Sequence, residues 1–101
     1  MLKDCIFCKI VNKEIPAQII YEDELIIAFN DISPVAPVHI LVIPKKHIPN
    51  LLELAPGDSM LLSHIYLKIA EIAKQQNIAD SGFRVVTNIN DEGGQTVKHL
   101  H

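Results

Sequence analysis

The chain has 101 residues, 49% of them apolar, and a formal net charge of −3. That describes one small domain, residues 1–101, with enough apolar side chains for a core that needs no disulfide. The longest basic run is Lys45-Lys46-His47, which argues against a nucleic-acid partner, and no apolar run nears the ~18 residues of a membrane helix.

The N-terminal Met1-Leu2-Lys3-Asp4-Cys5 lacks the apolar stretch of a secretory leader, so a cytoplasmic protein is expected. Residues 5–11 read as a short helix or helical turn, and Ile19-Ile20-Tyr21-Glu22 as a short strand. Glu22-Asp23-Glu24 is a turn, followed by a strand from Leu25 to Phe29. The segment Asp31 to Pro37 holds Pro34 and Pro37, which remove donors and fix φ; it reads as an ordered loop. The β-branched run Val38 to Ile43 predicts a strand buried on both faces.

The one long helix is expected from about Asp58 to Gln76. Leu61, Leu62, Ile65, Ile69, Ile72 and Ala73 fall on one stripe, with Ser59, Ser63, Lys68, Glu71 and Lys74 facing away and Asp58 as the N-cap. Phe83 to Asn88 reads as a strand, residues 90–94 as a hairpin loop, and Thr96 to His101 as the return strand. An α+β domain follows: an antiparallel sheet of about five strands, one long helix and a short N-terminal helix.

Chemistry concentrates at the end of the sequence. An extended chain puts His99 and His101 on one face and Leu100 on the other. Alone, such a pair reads as two surface strand histidines. The preceding Gly93-Gly94-Gln95-Thr96 adds a turn whose backbone N–H groups suit an anion nest, with neutral side-chain donors beside it. Imidazole is largely neutral and nucleophilic near pH 7, as attack on phosphorus requires. Cys5 and Cys8 have metal-ligand spacing but make only half a site; two histidines could complete it, and two buried free thiols are the alternative.

The segment Gly94-Gln95-Thr96-Val97-Lys98-His99-Leu100-His101 resembles the signature of the histidine triad (HIT) family, Hint branch, in which three histidines alternate with apolar residues. Similar blocks are Cys5 to Ile10, Lys13 to Ala17, Ala28 to Pro34 and Ala36 to Ile48, so the resemblance runs the length of the chain. It implies a purine nucleotide-binding homodimer that hydrolyses nucleoside phosphoramidates through a nucleotidyl-histidine intermediate. It makes His101 the nucleophile and His99 the first triad position. The third histidine is not among the residues, so a C-terminally incomplete domain is expected, with an impaired nucleotide-binding or zinc-stabilised interaction module as the alternative.

Position by position, the resemblance assigns Ile15, Phe29 and Ile32 to the base, Asp31 to the ribose hydroxyls, and Asn88, Gly94, Gln95 and Thr96 to the phosphate side. Core packing for Phe29 and Ile32, and a turn cap for Asp31, are the ordinary readings of those residues. The resemblance also implies a structural Zn2+ held by Cys5, Cys8, His47 and His99. His39 reads either as a partner of His101 or as a satisfied structural histidine, and His64 as helix packing or a partner contact.

Overall fold

The structure, a computed structural model, describes residues 4–101. Met1-Leu2-Lys3, read above as lacking a leader's apolar stretch, lies outside the described residues. Helix α1 spans Ile6–Val11, and its N-cap is Cys5, whose Sγ accepts the Cys8 backbone N–H. Strands β1 (Ile19–Glu22), β2 (Ile26–Asn30) and β3 (Ile40–Pro44) form an antiparallel sheet in chain order. Two 3-10 turns, Leu51–Glu53 and Pro56–Asp58, lead into helix α2, Ser59–Gln75.

β2 is the centre of the sheet and the most deeply buried strand: Ile26, Ile27 and Ala28 are inaccessible and Phe29 nearly so. Ile27 and Phe29 join Phe7, Cys5, Cys8, Ile10 and Ile43 in one cluster under α1. Ile26 and Ala28 point the other way, because strand side chains alternate faces. α2 packs against β3 through a stripe in which Ile65, Ile72 and Ala73 are buried. Each fully buried isoleucine contributes roughly 1.5–3 kcal/mol relative to exposure.

The α+β class, the long helix and the antiparallel sheet match the sequence reading; the strand count does not. The described residues contain three strands rather than five. Phe83 to Asn88 is exposed along most of its length and pairs in no ladder, and residues 97–99 bend, with the His99 N–H donating to the Val97 carbonyl. β-branched composition favours extended backbone, but strand membership requires a hydrogen-bonded neighbour, which no local pattern supplies. β3 is also less enclosed than expected: only Ile43 and Pro44 are buried. Asp58 stands at the N-cap of α2 without capping it; its carboxylate turns back to accept the Ala55 N–H and bind Lys46. Among the described residues no helix is long and apolar enough to cross a membrane.

Asp23 locks the β1–β2 turn to α2. Its Oδ1 accepts the N–H groups of Leu25 (2.8 Å) and Ile26 (3.0 Å), and its Oδ2 accepts from Tyr21 (2.7 Å) and His64 Nε2 (2.6 Å). Burial alone would raise its pKa, but these four donors outweigh it and hold the carboxyl well below its ordinary 3.8. A depressed carboxylate stabilises the fold fully above the ordinary range, and that contribution fades as pH falls. Asp23→Ala is expected to lower the unfolding free energy by about 2 kcal/mol at pH 7, and by less at pH 3. Denaturant titrations at the two pH values check this; an equal loss at both would contradict it.

Candidate active site

Four ligand-bearing side chains converge from separate parts of the chain. Cys5 and Cys8 sit on the first turn of α1, His47 follows β3, and His99 lies near the end of the described residues. Their candidate ligand atoms all lie within 4.8 Å of one another. His47 Nδ1 is 3.2 Å from Cys8 Sγ and 3.1 Å from His99 Nδ1, which is 3.3 Å from Cys5 Sγ and 3.6 Å from Cys8 Sγ. A tetrahedral ion bound by thiolate and imidazole at roughly 2.0–2.3 Å sets its ligand atoms about 3.3–3.8 Å apart. The arrangement therefore fits a single metal ion.

Protonation supports the same use. His99 Nε2–H donates to the Pro44 carbonyl at 2.7 Å, so its Nδ1 lone pair faces the cluster. Burial pushes His99 below the ordinary imidazole pKa, helped by neighbouring His47 and His101 and opposed by the Pro44 carbonyl. Burial also lowers His47. Both rings are thus neutral near pH 7, the form a metal ligand needs. The two cysteines are not joined as a disulfide.

His101 is placed by His99 and by Phe7. Its Nδ1–H donates to the His99 carbonyl at 2.7 Å, so in the neutral ring the lone pair is on Nε2. The Phe7 ring meets His101 edge-on at 5.0 Å, His99 at 5.9 Å and Phe29 at 5.7 Å. Both histidine rings therefore pack on Phe7 although no strand forms here, while Leu100 is buried and donates its N–H to the Ile48 carbonyl.

The loop before them is built tightly. A Cβ on Gly93 would come within 2.2 Å of the Ile89 carbonyl oxygen, and Gly94 has φ +80°, so both positions demand glycine. The N–H groups of Gly94 and Gln95 donate to the carbonyls of Asp91 and Asn90. The anion nest expected from those two N–H groups is thus spent on closing the turn. Gln95 is buried and fully engaged: its Nε2 donates to Pro49 and Val97 carbonyls and its Oε1 accepts the Asn90 N–H. Asn88 Nδ2 donates to the Gly94 carbonyl at 3.4 Å, and Thr96 is exposed.

At the other end, Phe29 is buried in the core, Ile15 is half-buried against it, and Ile32 is 92% exposed on the Asp31–His39 loop. Ile15 also lines an open crevice of about 360 Å³ with Ile10, Lys13, Glu14, Pro16, Ala17 and Ile19. Asp31 is half-buried, and the His39 ring lies against it rather than being free. Sequence reasoning missed three supports of the site: Phe7, the Pro44 carbonyl, and Asn50, which donates to Asn90. Phe7 lay in view between the two cysteines; the other two act across dozens of residues.

Residues 4–101 match the family described as the C-terminal binding domain of the scavenger mRNA decapping enzyme. A HIT-like protein of Synechococcus elongatus is 52% identical over the whole chain, which spans 88% of it. A purine nucleoside phosphoramidase of Escherichia coli K12 is 44% identical over the whole chain, which spans 85% of it. The crystal structure of a HIT family hydrolase from Legionella pneumophila superimposes with a TM-score of 0.95 at 45% identity, over 97% of this chain and 88% of that one. With a family match over residues 4–101 and relatives 44–52% identical over the whole chain, the chain belongs to the histidine triad family.

Proposed function

We propose that this protein is a nucleotide hydrolase that opens the P–N bond of adenylate–amine substrates through His101. The observation that carries the reading is the His101 Nδ1–H bond to the His99 carbonyl, which fixes the tautomer and presents Nε2 for attack. Nε2 forms a bond to phosphorus, the P–N bond breaks, and the amine leaves with a proton. Water then attacks the nucleotidyl-histidine, releasing AMP and restoring the neutral imidazole. Dividing the displacement in this way replaces one hard step by two easier ones.

In this reading the purine packs near Ile15, Phe29 and Ile32, the ribose hydroxyls bond Asp31, and the phosphate lies toward Asn88, Gly94, Gln95 and Thr96. Its support is the ring chain from Phe29 through Phe7 to His101, which links the apolar end to the nucleophile. Gln95 serves by shaping the loop, since its amide is already bonded. Cys5, Cys8, His47 and His99 would hold Zn2+, which would supply a four-ligand cross-link between distant parts of the chain. Its role is therefore structural. Two vicinal thiols used as metal ligands suit a reducing compartment, consistent with a cytoplasmic enzyme.

The protein is proposed to act as a homodimer. Met60, Tyr66 and Leu67 on α2, with Phe83, Val85 and Val86 beyond it, are apolar and largely exposed, as the surface for a second copy would be. Sedimentation is expected to give twice the chain mass, and a monomer at micromolar concentration would remove this part of the reading.

Incubation with an adenylate–amine substrate is expected to release AMP, and His101→Ala to slow that release by at least about 10³-fold. Equal rates for the two proteins would end the catalytic claim. AMP binding without turnover in the unmodified chain would instead select the non-catalytic nucleotide-binding module.

A further inference from the structure

His39 has a specific set of partners outside the metal-ligand cluster. The Val35 N–H donates to its Nδ1 at 3.1 Å, so Nδ1 carries no proton and Nε2 does. Nε2 lies 3.3 Å from Asp31 Oδ2, within ion-pair distance. The other carboxylate oxygen, Oδ1, accepts the Ser33 N–H at 2.8 Å. The Asp31 N–H closes the loop on the His39 carbonyl at 3.0 Å. Oδ1 is thus held by the loop backbone, and Oδ2 lies in ion-pair contact with the ring.

A carboxylate oxygen has two acceptor positions, so one remains on each side after these bonds. Asp31 keeps 23% of its side-chain surface open, and the His39 ring keeps 27%. The result is a carboxylate fixed in one rotamer with paired acceptor positions still available. A vicinal diol presents two hydroxyl donors at matching spacing. Without the ring, the carboxylate would rotate about its side-chain bonds, and ordering it on ligand binding would cost affinity.

We infer that His39 is the positioning residue for diol recognition: held by the Val35 N–H, it holds Asp31 in the rotamer that accepts both ribose hydroxyls. This rests on the reading that Asp31 meets the ribose. His39 touches no reacting atom in this role and acts through Asp31 alone.

The test compares binding of AMP with binding of 2′,3′-dideoxy-AMP, using the affinity ratio as the readout. Asn at position 39 can replace Nδ1 as the acceptor for Val35 and keep the loop closed, but it is too short to reach Asp31. Gln can place a donor where Nε2 stands. His39→Asn is expected to cut the AMP preference about fivefold, and His39→Gln to retain most of it. A preference intact in His39→Asn but lost in Asp31→Ala would overturn the inference while leaving the ribose reading in place. Equal affinity of the unsubstituted protein for the two ligands would remove the ribose reading and this inference with it. A merely structural role for His39 would weaken both ligands together and leave the ratio unchanged, which also overturns the inference.

Discussion

The convergence of Cys5, Cys8, His47 and His99 is the constraint on which the site depends. It joins α1, the segment after β3 and the end of the described residues. The His99 backbone carbonyl is the acceptor that sets the tautomer of His101. Whatever fixes the His99 backbone therefore helps place the His101 ring two residues on. Two neutral imidazoles and two thiols bring their ligand atoms within 4.8 Å of one another. A bound cation resolves that arrangement, and its departure would leave the cluster held by weak sulfur contacts.

The same arrangement explains how separate functions share one small domain. Phe7, between the two cysteines, is the edge-on neighbour of His99, His101 and Phe29. A shift of α1 would move the candidate metal ligands, the wall of His101 and the Phe29 end together. The Asp31–His39 loop is closed on itself. In the proposed function, sugar recognition and placement of the nucleophile would therefore be separable by substitution.

What the sequence disclosed depended on how local the cause was. α2 was readable because its 3.6-residue period governs burial directly, and Ile65, Ile72 and Ala73 are buried on the expected stripe. The first three strands were readable to within two residues. Phe83 to Asn88 was not, because extended backbone is a local property and ladder pairing is not. Cys5 and Cys8 announced half of a metal site by spacing; His47 and His99 joined it only through the resemblance, since they lie 39 and 91 residues from Cys8. Gln95 looked like a donor for phosphate because its amide is polar and follows two glycines. Pro49, Val97 and Asn90 occupy it instead, and two of those contacts arise from a fold that brings distant or bent segments together.

The four converging side chains are either a metal site or four packed groups. X-ray absorption at the zinc edge of the purified protein tests this most directly. The predicted result is about one zinc per chain with two sulfur neighbours at about 2.3 Å and two nitrogen neighbours at about 2.0–2.1 Å. A shell of oxygen and nitrogen alone, or a protein that is fully folded with no metal near one equivalent, would contradict it.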